Sequence, residues 1–258
     1  MVPRQGTRER ARRDVQLTKE ADGLRGEMPI DSEHLRSNVE RVTAHIEAAR
    51  ARGGHGQQVR LLAATKYVSA EDMSALRDAG IRLVGENRAE ELESKWSVWA
   101  DQFEFHFIGH LQRRKVRSVL RCVSMVHSVD SLRLAQEMHR RAAAPIDALV
   151  EVNVSGEESK YGILPGDAEA FLEQAEAFEA VRFRGFMTMA PLVRHPEEAR
   201  LVFRRLRELR DRLAPLFAPR YSLDELSMGM SNDYEVAVEE GATIVRLGGT
   251  LFAGAQGG

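Results

Sequence analysis

Ile146-Asp147-Ala148-Leu149-Val150-Glu151-Val152-Asn153-Val154 is a β-branched, mostly apolar run, and the two segments after it decide how it is used. Residues 168–178 follow with helical spacing, and residues 181–189 are again strand-like. A strand, a helix and a strand in that order indicate parallel pairing, because a parallel connection must cross back over the sheet. The unit repeats on both sides. Further strand-like runs lie at 59–65, 81–85, 103–108, 125–129, 225–230 and 243–247. Each gap between runs has room for a helix, most clearly at 131–143 and 196–213. Eight such units with no surplus strand predict an α/β fold of the closed (β/α)8 TIM type in a single domain; a doubly wound open sheet is the alternative.

Length and composition agree with that reading. The chain has 258 residues, and a barrel of this kind commonly needs about 250. Asp31-Ser32 opens a helix whose apolar positions Leu35, Val39, Val42 and Ile46 recur every three or four residues, and Gly53-Gly54 ends it. Residues 28–258 are assigned to the barrel. Residues 1–27 read as a solvated, disordered charged arm. Arg4, Arg8, Arg10, Arg12 and Arg13 have no apolar segment behind them, so this is not a secretory signal, and Glu9, Asp14 and Glu20 make it a poor transit peptide. Cys122 is the single cysteine, which excludes an intrachain disulfide and any multi-cysteine metal site and suits a reducing cytoplasm. A net charge of -2 argues against nucleic acid as the main partner. No run approaches the ~20 apolar residues of a membrane span. There is no Walker loop, dinucleotide fingerprint or HExxH motif, and the histidines show no metal-ligand spacing.

Polar residues interrupt the apolar runs mostly at the C-terminal ends of the expected strands, the face on which barrels carry their active sites. Lys66 follows Leu61-Leu62-Ala63-Ala64-Thr65. An amine there either snorkels to solvent or is desolvated enough to add to a carbonyl. Asn87 closes the second run and either meets a ligand oxygen or caps the next helix. His106, between two phenylalanines, reads by itself as a satisfied core histidine. Arg113, Arg114, Lys115 and Arg117 form a solvated face, and residues 155–162 form a polar loop suited to a lid. Met187 packs in the core or lines a flat ring. Ser227-Met228-Gly229-Met230-Ser231 ends the seventh run and opens a helix, a good phosphate cradle. Arg246 sits inside an apolar run and needs an acceptor, either a carboxylate or a ligand atom. Gly248-Gly249 behind it lets the backbone approach a ligand.

Taken together, the runs Ala63-Ala64-Thr65-Lys66, Gly85-Glu86-Asn87, His106-Phe107-Ile108-Gly109-His110-Leu111-Gln112, Ser155-Gly156-Glu157-Glu158-Ser159-Lys160, Met187-Thr188-Met189 and Leu226-Ser227-Met228-Gly229-Met230-Ser231 resemble the pyridoxal phosphate homeostasis proteins. These are single-domain relatives of the alanine racemase N-terminal barrel, and the resemblance runs in order from Asp31 to Gly254. It implies a barrel that binds pyridoxal 5′-phosphate (PLP) as a covalent aldimine on Lys66. Ser227, Gly229, Gly248 and Gly249 would hold the phosphate and Arg246 would face the pyridine nitrogen, with Asn87, His106 and Met187 completing the cofactor site. Two positions depart from the family: Gly249 stands where a serine or threonine is usual, and Arg113-Arg114 replaces smaller polar residues.

An arginine opposite the ring nitrogen disfavours pyridinium and weakens the ring as an electron sink. After Phe252 only Ala253-Gly254-Ala255-Gln256-Gly257-Gly258 follows, so the second domain that completes a racemase site is not expected. No second base is evident, Tyr161 and His106 being the nominees. The expectation is therefore a cytoplasmic, monomeric carrier or buffer of PLP that serves vitamin B6 homeostasis and supplies client enzymes without turnover. An amino-acid racemase is the alternative.

Overall fold

The computed structural model of the chain describes residues 30–157, 160–191 and 193–255; the segment 1–27 expected to be an arm lies outside the described residues. Asp31 starts the first helix, α1 (Ser32–Gly53). Its carboxylate accepts from the amides of Glu33 and His34 at 3.0 and 3.1 Å, relieving two of the orphan donors of a helix start. Leu35, Val42, Ile46 and Ala49 form the buried stripe, and Gly54 closes the helix at φ 69°.

Eight strands follow: β1 (Arg60–Ala64), β2 (Leu83–Glu86), β3 (Glu104–Phe107), β4 (Met125–Val129), β5 (Ile146–Glu151), β6 (Val181–Met187), β7 (Glu225–Ser227) and β8 (Ile244–Leu247). They pair in sequence order, all parallel, and β8 returns to β1 with Arg60 opposite Ile244 and Leu62 opposite Arg246. The barrel is closed, so the open sheet is set aside. Between the strands lie α2 (Met73–Asp78), α3 (Ala89–Trp99), α4 (Val116–Val119), α5 (Leu132–Arg141), α6 (Ala168–Ala175), α7 (Arg200–Phe217) and α8 (Tyr234–Glu239); a short α9 (Gly249–Phe252) follows β8. No helix among the described residues is long and apolar enough to cross a membrane.

Side chains of the strands alternate between two cores. One set, including Ala63, Val84, Phe105, Val126, Val150 and Phe183, packs under the helices. A smaller set, Leu62, Leu83, Met125, Leu149, Met187 and Ile244, fills the barrel lumen. Gly185 is needed where β6 meets β7: at φ 147°, a Cβ there would stand 1.9 Å from the carbonyl oxygen of Glu225. The seventh strand is shorter than the expected 225–230 because Gly229 turns the chain at φ 92°. Asn38, buried on α1, ties the two ends of the fold together by donating to the carbonyls of Leu251 and Ala253, both at 2.9 Å.

Candidate functional site

All eight strands point their C-terminal ends at one rim, and the residues singled out from the sequence lie at that mouth or just beneath it. Lys66 stands in the turn after β1, exposed, with Nζ 4.3 Å above the centroid of the Tyr67 ring. The turn is anchored from below. Thr65 is fully buried, its amide donates to the carbonyl of Gly85 at 3.0 Å, and its hydroxyl donates to the Glu86 carboxylate. Lys95, reaching in from α3, donates to the Thr65 carbonyl at 2.7 Å and to Glu86 Oε1 at 2.5 Å. Lys95 and Glu86 are 1% and 0% exposed, a dry ion pair under the lysine turn. On an amphipathic helix with charged neighbours Lys95 reads as a solvated residue, and the sequence offers no sign of this role.

Asn87 is exposed at the mouth. Arg88 occupies the N-cap position of α3 without a side-chain cap bond, so Asn87 does not take up the capping alternative. Gly109 passes tightly over it, since a Cβ on Gly109 would lie 2.4 Å from the Asn87 carbonyl oxygen.

Arg246, on β8, points into the barrel and is 5% exposed. Nη1 donates to Ser227 Oγ at 2.6 Å and Nη2 to the Thr188 carbonyl at 3.0 Å. Burial lowers its pKa to about 10, with the Glu151 and Asp233 charges pulling the other way, so the guanidinium is protonated at neutral pH. Of its five N–H groups, the others have no hydrogen-bond acceptor among the described residues. Glu151, at the end of β5, is 3% exposed, and burial, helped by the charge of Asp130, raises its carboxyl to about 7. Sequence reasoning passed over this group as part of a strand.

The ends of β7 and β8 form a cradle. The hydroxyl of Ser231 accepts from the Thr250 amide at 3.1 Å, and the Thr250 hydroxyl donates to the Ser231 carbonyl at 3.1 Å. Gly248 and Gly249 lie between them, open enough that a Cβ on Gly249 would sit 3.6 Å from Ser231 Oγ. Gly229 supplies the turn: a Cβ there would press on Ala237 Cβ at 2.6 Å. Three other expected site residues lie deeper. The Ser227 hydroxyl is taken up by Arg246 and lies 2.9 Å from His127 Nδ1. His106 is fully buried in the lumen, between His127 and Glu104, and Met187 is part of the lumen core. A hydroxyl facing Gly249 from the other strand end belongs to Ser231, which sequence reasoning did not single out although it closes the quoted Ser227–Ser231 run.

On the β3–β4 side the mouth widens into a cleft of about 490 Å³, walled by His110, Asp130, Arg113, Arg133 and Tyr161. His110 stacks on Tyr161 with centroids 4.1 Å apart and pairs with Asp130 at 3.3 Å. Arg113 and Arg114 are exposed, in keeping with a solvated face.

This donor set suits a phosphorylated aromatic aldehyde. A primary amine stands at the rim, a dry guanidinium keeps donors to spare, and a glycine-lined turn carries a hydroxyl. Residues 30–256 match the alanine racemase N-terminal domain family. The chain is 42% identical over 219 residues to a pyridoxal phosphate homeostasis protein of Aquifex aeolicus, covering 83% of this chain and 95% of that one. A protein of the same name from Pseudomonas aeruginosa is 39% identical over 223 residues, with 84% and 94% covered. PipY of Synechococcus elongatus, solved with PLP bound, superposes with a TM-score of 0.74 at 31% identity, over 85% of this chain and 100% of that one.

Proposed function

For a chain that belongs to the pyridoxal phosphate homeostasis protein family, within the wider family of the alanine racemase N-terminal domain, we propose that the mouth binds PLP and holds it as a Schiff base on Lys66. The protein then acts in the cytoplasm as a monomeric carrier that buffers the cofactor and passes it to PLP-dependent enzymes without turnover. When bound, the cofactor supplies an aldehyde; condensation with the Lys66 amine makes one C=N bond and releases one water. The observation that carries the proposal is Arg246: a buried, protonated guanidinium with unused N–H groups, on the strand that neighbours β1 and its lysine turn.

Each group has a task. Thr65, Glu86 and Lys95 hold the turn that presents Lys66. Ser231, held by the Thr250 amide, and the backbone of Gly248 and Gly249 receive the phosphate, and Gly229 keeps that turn tight. Asn87 donates from the rim. Arg246 donates to the ring nitrogen and, being protonated itself, keeps a proton off it, which suits holding the cofactor more than carbanion chemistry. Ser227, His106 and Met187 act from beneath.

Visible spectra of the cofactor-loaded protein and of Lys66→Ala, before and after borohydride reduction, test the reading. Wild type should show a reducible band and the variant none. A variant that keeps the band moves the linkage to another lysine; a wild type without one removes the Schiff base. Robust racemase or transaminase turnover would end the carrier reading.

Glu151 favours a second reading, amino-acid racemization. With its carboxyl at about 7, it could both take and give a proton at the mouth near neutral pH. Exchange of an amino-acid α-proton in heavy water, lost in both Lys66→Ala and Glu151→Gln, would establish it.

A further inference from the structure

The lumen holds a row of polar side chains that reaches from the mouth to the opposite rim. Arg246 Nη1 lies 2.6 Å from Ser227 Oγ, and Ser227 Oγ lies 2.9 Å from His127 Nδ1. His127 Nε2 is 2.9 Å from His106 Nδ1, and His106 Nε2 is 2.8 Å from Glu104 Oε1. Ser227, His127 and His106 are all 0% exposed. Glu104 is the first residue of β3, half-exposed at the N-terminal rim, where Ser124 donates to it at 2.9 Å and Arg60 stands 3.7 Å away.

With both rings neutral, counting donors leaves one arrangement of protons. A carboxylate only accepts, so His106 donates from Nε2. A neutral imidazole then accepts at Nδ1, so His127 in turn donates from Nε2 and accepts at its own Nδ1. Ser227 gives its single hydroxyl proton to His127, which leaves Oγ purely an acceptor for Arg246. Every link is made once, and the row is polarised in one direction, from guanidinium to carboxylate. The charges around it are compatible with neutral rings. Burial is the main influence lowering both histidines, His127 furthest. At His127 the neighbouring His106, then Arg246 and Arg60, push the same way; at His106 Glu104 opposes, Arg60 pushes down and Glu225 opposes again. The bond from His106 is the largest reason that Glu104 falls to about 2, so the accepting end stays ionised at neutral pH.

We propose that His127 and His106, acting through Ser227, are positioning residues for Arg246: the row fixes the guanidinium as a donor and aims its free N–H groups at the ligand in the mouth. The last clause rests on PLP being that ligand; the orientation of the row does not. With its hydroxyl proton committed to His127, Ser227 cannot rotate to present that proton to Arg246. Hydrogen bonds in series, ending on a charge, also reinforce one another.

The test uses full-length protein with ¹⁵N-labelled histidine and arginine, first without cofactor. Both imidazoles should be neutral with the proton on Nε2 between about pH 6 and 8, around the ordinary histidine midpoint, and Arg246 should give resolved, slowly exchanging side-chain signals. In His127→Leu and Ser227→Ala the Arg246 signals should merge with those of freely rotating arginines. PLP should then bind about tenfold more weakly, the effect of losing one buried hydrogen bond to a charged group, and His127→Gln, which keeps an acceptor and a donor, should recover part of both. Two variants are used so that one folding failure leaves the other to decide. An Nδ1 proton or an imidazolium at neutral pH on either ring overturns the row. Unchanged Arg246 signals in a folded variant overturn the positioning role, and so does unchanged affinity. If wild type binds no PLP yet Arg246 ordering still depends on His127, the cofactor reading fails and the positioning role stands.

Discussion

Replacing Lys95 with methionine should unfold this protein far more readily than a lysine substitution usually does. The ammonium is 1% exposed and has two acceptors, Glu86 Oε1 at 2.5 Å and the Thr65 carbonyl at 2.7 Å. Its removal leaves the Glu86 carboxylate fully buried. Oε2 of that carboxylate already lacks a hydrogen-bond partner, and Oε1 keeps only the Thr65 hydroxyl. The Thr65 carbonyl loses its lysine donor as well. Breaking a buried pair by removing one partner costs about 3–5 kcal/mol, which in a chain of this size lowers Tm by roughly 10 °C. Urea denaturation should show the midpoint falling with little change in slope. Lys95→Met combined with Glu86→Gln should recover most of the loss, because the glutamine removes the stranded charge yet still accepts from Thr65. A single-variant loss below about 1 kcal/mol, within the range of surface ion pairs, would refute the reasoning, as would a double variant no more stable than the single one.

Three other predictions concern separate parts of the fold. The native Glu151 carboxyl, at about 7, binds its proton more tightly than its ordinary 4.5; stability should therefore fall by roughly 3 kcal/mol as pH rises between those values and level off above them. Urea titrations at several pH values should lose that component of the slope in Glu151→Gln, and a slope unaltered by the substitution would rule it out. Gly185→Ala, with its Cβ directed 1.9 Å from the Glu225 carbonyl oxygen and φ at 147°, should cost more than about 3 kcal/mol or prevent folding; a Tm within a few degrees of wild type contradicts the geometry. Gly249→Ser, whose Cβ has ordinary clearance at 3.6 Å from Ser231 Oγ, should keep Tm and tighten PLP binding up to about tenfold by adding a hydroxyl at the cradle. Equal or weaker binding would show that Ser231 already satisfies the phosphate.

The barrel was legible because its signal is local and repeated. The run 125–129 coincides with β4, and the other strands differ from their expected spans mainly at the ends, where turns such as that at Gly229 take over from pairing. The polar residues of the mouth were legible for the same reason, since Lys66 and Arg246 each stand out against an apolar run. What stayed hidden depends on alternation within the lumen. His127 in Met125-Val126-His127-Ser128-Val129 looks like one more core histidine, and only closure of the barrel sets it between Ser227 and His106. The same closure sets the Ser227 hydroxyl between Arg246 and His127 and brings Ser231 beside Gly249. Lys95 was hidden for a different reason: a lysine on a charged helix is ordinarily solvated, and nothing local marks the buried carboxylate it meets.

Barrel closure also sets an order of events during synthesis. His106 and His127 leave the ribosome early, but Ser227 comes a hundred residues after His127, and Arg246 later still. The β1–β8 seam and the two bonds of Asn38 to Leu251 and Ala253 wait for the same stretch of chain. Until then the lumen has no wall on that side, and its histidines remain open to water. Drying of the interior, joining of the sheet's two edges and assembly of the polar row are therefore one step, taken only after β8 and the stretch through Ala253 have been made.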